Sequence, residues 1–290
     1  MTAIIFGANG QDGFYLTQLL QSEELRVVGV SRNGDFLKTD ITNYNAVADL
    51  LKKEQPEFIF HLAANSTTRH DALFENHATI ETGTLNILEA VKNCSPHSKV
   101  FISGSGLQFQ NNNQPIKETD PFEAKDAYSV SRIQSVYAAR YFRKLGLQVY
   151  VGYFFNHDSP RRSERHMAEK IAAFARRVKN GGTEKLEIGD ISVRKEWGFA
   201  GDIVEAAWKL VNQNHIFEAV LGTGKDYSIE QWLQTCFSYI GKNWQEHIIE
   251  SQNFRAEYKV LVSDPSTIFS LSWEPKHTFE QLAKMMLEKQ

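Results

Sequence analysis

Cysteine is almost missing from this 290-residue chain. Cys94 and Cys236 are the only two, which excludes a disulfide framework or thiolate zinc spacing and fits a reducing compartment, the cytoplasm by default. An excess of either charge is lacking too. With 32 Lys and Arg against 35 Asp and Glu the net charge is −3, so no global field draws the chain to nucleic acid or a membrane surface, and neither is expected as a partner. Anionic ligands must then be held by local clusters. No apolar run is long enough to span a bilayer, and MTAIIFGANG enters a strand without a basic leader, so no transmembrane helix or signal peptide is expected. The nine histidines show no HExxH or comparable pairing; no metal is expected, and His61 and His157 read as packing or hydrogen-bonding residues. Repeats, low-complexity tracts and long linkers are absent, and QNNNQ at 110–114 reads as a loop.

Hydrophobic residues make up 42% of the chain, ample for a large core. The length suits one large α/β domain or a nucleotide-binding domain with a smaller partner. The run AIIF at 3–6 stops at GANGQDG, after which FYLTQLLQSEEL has helical spacing. The alternation continues through RVVGVS, a helix around NAVADLLKKEQ, EFIFHLAA, a helix around HATIETGTLNILEAVKNC, KVFISGS, a helix over 126–145 and LQVYVGYFF. This order predicts a Rossmann-type, doubly wound parallel sheet wrapped by helices. Beyond residue 156 it loosens into a basic helical stretch, RRSERHMAEKIAAFARRVKNG, short strands and an amphipathic end. The expected division is a dinucleotide-binding domain over 1–155 and a mainly substrate-binding region over 156–290 that returns some elements to the first.

In GANGQDG, Gly7 permits a tight turn, Gly10 lets backbone approach a pyrophosphate and Gly13 lets helix pack on strand. Asn9, Gln11 and Asp12 are expected in the same cofactor site, where the helix N-terminus favours the anion. A glycine triplet alone also serves as a plain turn; its place between strand and helix points to a dinucleotide. NAD sites usually carry an acidic residue at the end of the second strand to hold the ribose 2′-hydroxyl. Here VVGVSRNGD puts Arg32 there, which suits a 2′-phosphate and favours NADP(H), with NAD(H) the alternative; Arg32 also reads as a solvated loop residue. Asp40 and Ile41 in KTDI, with Leu62, Ala63 and Ala64 after EFIFH, are expected along the adenine and the path to the nicotinamide. AYSVSR places Tyr128 and Arg132 four residues apart on one helix face, a phenol beside a permanent cation. A unit charge ~5 Å away at an effective dielectric of ~20 is worth ~3 kcal/mol, enough to make a phenol an acid–base group. Simple packing under a sheet edge for Tyr128 and a surface position for Arg132 are the plainer readings.

The glycine spacing, HLAANS, YSVSR and FFNHDSPRR together resemble the extended short-chain dehydrogenases of the NAD-dependent epimerase/dehydratase family, which modify nucleotide sugars. Within that family the chain is most similar to the GDP-mannose 4,6-dehydratases, through RKEWGFAGDIV, FRAEY and DPSTIFSLSWEP; GQDG and NHDSPRR are the most specific pieces. The resemblance implies that Tyr128 takes the proton of a sugar C4 hydroxyl as hydride passes to the nicotinamide. Arg132 stands where the family has a lysine. Guanidinium is larger, planar and practically never deprotonated, so ribose contacts and any proton relay change.

The resemblance also implies Ser105 as the hydroxyl that meets the C4 oxygen, and Leu107 where the dehydratases carry a glutamate. The other register puts Gly104 and Gly106 at those two positions. No carboxylate falls there either way, and elimination of water across C5 and C6 needs a base and an acid. Implied substrate contacts are Ser66, Asn156, Lys170, Arg194 or Lys195, Arg255 and Glu257: cations for a diphosphate, a carboxylate for ribose hydroxyls. Arg161 and Arg162 either join them or reach a neighbouring subunit's cofactor, and the helices around 72–94 and 126–145 would pair in a homodimer or homotetramer. The cations from Arg165 to Arg177 read as a solvated helix face.

Three readings follow. The leading one is an NAD(P)-dependent oxidoreductase acting at C4 of a sugar on a nucleoside diphosphate, GDP favoured, either oxidising C4 or reducing a 4-keto sugar. It uses Tyr128, Ser105 and Arg132 and needs no missing residue. The second is a 4,6-dehydratase or epimerase whose base has moved to Glu81, Asp158 or a bound water. The third is a nucleotide-sugar or dinucleotide binding protein that has lost catalysis.

Overall fold

A computed structural model describes residues 1–251 and 256–289. The first half runs β1 (Thr2–Phe6), α1 (Gln11–Ser22), β2 (Arg26–Val30), α2 (Tyr44–Glu54), β3 (Phe58–His61), α3 (Leu73–Asn76), α4 (Gly83–Cys94), β4 (Lys99–Ser105), α5 (Ala127–Lys144) and β5 (Gln148–Phe154). Then come β6 (His157–Asp158), α6 (Met167–Lys179), β7 (Leu186–Ile188), β8 (Arg194–Glu196), β9 (Gly198–Phe199), α7 (Ala200–Val211) and β10 (Glu218–Leu221). The chain closes with β11 (Asp226–Ser228), α8 (Ile229–Tyr239), β12 (Ile248–Glu250), β13 (Val260–Leu261), α9 (Ser266–Phe269) and α10 (Phe279–Leu287).

Six strands form one parallel sheet in the order β2-β1-β3-β4-β5-β10, the doubly wound architecture expected from the alternation. Strand periodicity divides its core between two faces. Ile4 and Phe6 join Val47, Leu51, Ile87 and Val136 from α2, α4 and α5, whereas Ala3 and Ile5 join Leu16 and Leu20 of α1 and Ile203 and Leu210 of α7. The chain leaves β1 to one side for β2 and returns on the other for β3. That reversal opens a crevice at the carboxyl ends of these strands, where open α/β sheets bind ligands.

A third core gathers α6, α8 and α10 around Trp197, Trp232 and Phe279, with the two indoles stacked 4.5 Å apart. Two local expectations change in detail. The basic stretch becomes helical only at Met167, because the Ser159, Arg162 and Ser163 backbone is spent on turns, with Arg162 N–H on Ser159 and His166 N–H on Ser163. The helix expected around HATIET winds wider over His77–Thr82, a π-type stretch between α3 and α4. Its Ile80 carbonyl accepts from Thr84 Oγ1 (2.6 Å), Ser135 Oγ (3.2 Å) and His61 Nε2 (3.4 Å), which joins α4, α5 and β3.

The start of α1 is set by close backbone packing. A Cβ on Gly13 would lie 2.6 Å from Ala8 Cα. Gly13→Ala should therefore lower unfolding stability by about 2 kcal/mol through overpacking, read from urea denaturation midpoints at constant m; an unchanged midpoint would show that this approach is not required.

Candidate active site

Gly7 turns the chain with φ +96°, and a Cβ there would stand 2.7 Å from Ala63 N, so the end of β1 lies against the segment leaving β3. Gly10 is the N-cap of α1 and provides no side-chain cap, leaving the first N–H groups of the helix to meet an anion. These residues form one end of a cavity of about 300 Å³ lined also by Leu62, Ala64, Ser66, Ser105, Tyr128, Arg132, Asn156 and Lys195. Glycine against glycine on one wall, with free helix N–H groups, fits the diphosphate of a dinucleotide.

The opposite wall is built by β4 and α5. Asp126 caps α5, accepting from Ser129 N (2.7 Å), while Ser129 Oγ accepts from Asp126 N (3.0 Å). That box fixes the first turn, which carries Tyr128, and the next, which carries Arg132. Arg132 is 4% exposed; its guanidinium carbon lies 5.0 Å from the Tyr128 ring centroid, and Nη1 donates to the Ser103 carbonyl and to Ser103 Oγ (2.9 Å). Its Nε is buried without a partner. Ser105 Oγ accepts from Leu107 N (3.2 Å), so its proton is free to be donated into the cavity. Leu107 also lines the wall, and a Cβ on Gly106 would lie 2.9 Å from the Phe155 ring. Neither position presents a carboxylate.

The third wall follows β5, where the two most distinctive pieces of sequence meet. Ser159 Oγ donates to Gln11 Oε1 (2.7 Å), and His157 Nε2 stands 2.9 Å from Asp12 Oδ1. Burial opposes the Asp12 charge, but His157 and Arg162 outweigh it and hold this carboxyl well below the usual range. Burial likewise works against a charged His157, and the Asp12 carboxylate overcomes it and raises the imidazole above its ordinary value. Arg162 Nε donates to Asp158 Oδ1 (3.2 Å). Lys195 lies over the Trp197 ring at 4.5 Å; burial lowers its pKa against the pull of Asp158. Burial and the Arg162 charge bring His166, the N-cap of α6, down to about 4. Asn156 Oδ1 is buried and unpartnered.

Of the residues singled out in the sequence, the cavity wall therefore gathers Gly7, Gly10, Gln11, Asp12, Gly13, Leu62, Ala64, Ser66, Ser105, Tyr128, Arg132, Asn156 and Lys195. Others lie elsewhere. Arg32 is exposed at the end of β2 and pairs with Glu75 at 3.1 Å. Asp40 accepts from Thr42 N and Oγ1, Ile41 gives its carbonyl to Asn86, and Asn9 and Ala63 flank the turn. Lys170 Nζ donates to the Glu187 carbonyl (3.3 Å), and Arg194 turns outward to Asp226. Strand alternation thus sends Lys195 inward and Arg194 out. Glu257 accepts from Thr68 Oγ1 (3.0 Å), a residue of the wall, and Arg255 lies outside the described residues. Glu81 sits in the wide helical stretch beside His77 and is not part of the wall. Ser103 and His166 carried no signal in the sequence; a serine on a buried strand and a histidine before a helix are too ordinary to mark.

A model of the family described as GDP-mannose 4,6 dehydratase matches residues 4–286. The chain is 31% identical to GDP-mannose 4,6 dehydratase 1 of Arabidopsis thaliana, across 99% of this chain and 88% of that protein. Its fold is similar to that of UDP-glucose 4-epimerase with UDP-glucose from Thermotoga maritima (TM-score 0.87, 21% identity, 100% and 98% of the two chains). RMD from Pseudomonas aeruginosa complexed with NADPH is as close in shape (TM-score 0.86, 21% identity, 99% and 98%). No described helix is long and apolar enough to cross a membrane.

Under the site, His61 is fully buried at the end of β3. Its Nε2–H faces the Ile80 carbonyl while Nδ1 has no partner, and burial followed by the Arg132 charge lowers it from 6.5 to about 4. A histidine held neutral in the fold contributes stability that is complete above the unfolded value and is lost as pH falls through the folded one. Acidification from 6.5 to 4 should remove about 3 kcal/mol through this residue. In urea titrations across that range His61→Gln should lose that much less than the parent; equal losses would show that His61 does not titrate this way.

Proposed function

The chain belongs to the GDP-mannose 4,6-dehydratase family of extended short-chain dehydrogenases. From that premise we propose that it is an NAD(P)-dependent oxidoreductase acting at C4 of a sugar carried on a nucleoside diphosphate, with GDP favoured. One observation carries this reading: the end of β4 offers the Ser105 hydroxyl to the cavity that holds Tyr128 and Arg132, while neither Leu107 nor Gly106 offers a carboxylate. What supports the reading is that the groups proposed to handle the proton at C4 line one cavity, at the position where the resemblance implies a carboxylate and Leu107 and Gly106 offer none.

Tyr128 would exchange a proton with the C4 oxygen, and Ser105 Oγ–H would donate to the same oxygen. Arg132 places a fixed positive charge over the phenol ring. When bound, the nicotinamide supplies or accepts the hydride. The glycine turn and the start of α1 would hold the dinucleotide diphosphate, and Arg32 at the end of β2 favours NADP(H). Lys195 and Asn156 would receive the sugar diphosphate. Leu85, Tyr137 and Tyr141, exposed on α4 and α5, support a homodimer through these helices.

A second reading has its own observation. Asp158 is a buried carboxylate in the cavity wall, so a dehydratase or epimerase could use it as a displaced base.

Incubation with NADP or NAD and a panel of GDP-, UDP-, CDP- and dTDP-sugars, 4-keto-6-deoxy forms included, separates the two. A two-hydrogen mass change matched by nicotinamide absorbance is the expected result; loss of water without net cofactor change would overturn it and point to Asp158. Tyr128→Phe should lower kcat by 10²-fold or more with little change in dinucleotide binding, measured by protein-fluorescence titration.

A further inference from the structure

We propose that His157 is a charged positioning residue that neutralises Asp12 and thereby lets the glycine turn accept a dinucleotide diphosphate. This rests on the reading of that turn as the dinucleotide site.

Asp12 is the second residue of α1, beside the N–H groups a diphosphate would use. An ionised carboxylate there competes with an incoming anion for the same helix terminus and repels it. The ring of His157 shows how this is met. Its Nδ1 stands 2.7 Å from the Phe155 carbonyl, which can only accept, and its Nε2 stands 2.9 Å from Asp12 Oδ1. Both nitrogens donate, and that is the imidazolium form. A proton on Asp12 instead is opposed by His157 and Arg162, which keep that carboxyl low despite its burial.

The other groups facing the pair agree. From α1, Gln11 Nε2 donates to Asp12 Oδ1 (3.1 Å), and from β5 the Phe154 ring meets the imidazole edge-on at 5.2 Å. From the following loop, Arg162 donates to the His157 carbonyl (3.0 Å) and to Asp158. Asp12, His157, Asp158 and Arg162 make a neutral quartet along the cavity wall. Removing the imidazolium charge leaves it at −1 next to the helix terminus, with Asp12 as the uncompensated member.

A merely structural histidine would be indifferent to the charge on Asp12, so the test is a double-mutant cycle read by binding. NAD and NADP dissociation constants are measured by fluorescence titration for the full chain, His157→Gln, Asp12→Asn and the double variant, each checked for folding by thermal melt. His157→Gln should weaken binding about tenfold, Asp12→Asn should weaken it less than that, and the double variant should return to within about threefold of the parent. A double variant as weak as His157→Gln, or a His157→Gln of unchanged affinity, overturns the proposal while leaving the dinucleotide site in place. A parent chain that binds neither dinucleotide overturns the site and the proposal together.

Discussion

The arrangement depends on backbone meeting backbone where no side chain fits. Gly13 sets the first turn of α1 directly on Ala8, and Gly7 sets the turn before it against Ala63. With both contacts made, the helix begins at the carboxyl end of β1 and its open N–H groups face the crevice between β1 and β3. The side chains that line the rest of the cavity acquire meaning from that fixed point. Tyr128 and Arg132 matter because α5 starts across from it, and Lys195 because β8 carries it to the same space.

The sequence disclosed what local pattern can encode. Continuous apolar runs marked β1, β3, β4 and β5; periodic ones marked α1, α2 and α5; and the glycine spacing marked the turn at its place between strand and helix. What it could not disclose was contact across long separations. GQDG and NHDSPRR stood out separately, yet the hydrogen bonds between Gln11 and Ser159 and between Asp12 and His157 span 148 and 145 residues, and nothing in either segment names the other. His157 read as an ordinary hydrogen-bonding residue. It is one, but its partner is the feature of interest. The choice between Arg194 and Lys195 was open for a similar reason: alternation requires one of them to face inward, and only the pairing of β8 with β11 and β13 fixes which. Likewise, composition cannot separate Lys170, bound to a neighbouring carbonyl, from a cation turned toward a ligand.

The arginine at residue 132 leaves a visible mark on the surrounding packing. The guanidinium is anchored on the carbonyl and hydroxyl of Ser103 and lies along the tyrosine ring, while Ser103 Oγ in turn donates to the His61 carbonyl (2.9 Å). A buried charge is tolerated only when its donors are met. Here Ser103 of β4 meets those of Nη1 with its carbonyl and hydroxyl and leaves Nε unpaired, so the cation is tied to the sheet as well as to the helix that bears it. The neutral His61 below belongs to the same adjustment, since a second positive charge so near Arg132 would be costly.

The last strand of the sheet has a consequence for how the molecule is made. β10 arrives from residues 218–221 to cover β5, and Glu218 is gripped there by Arg140, Arg143 and the Tyr153 hydroxyl. Until Leu221 has left the ribosome, β5 is an open edge with unpaired backbone groups and an uncovered phenol. The helices α8 and α10 of the third core follow β10 in the chain and emerge after it. The order of emergence therefore lets a sticky strand be covered before the final quarter of the chain has to find its place.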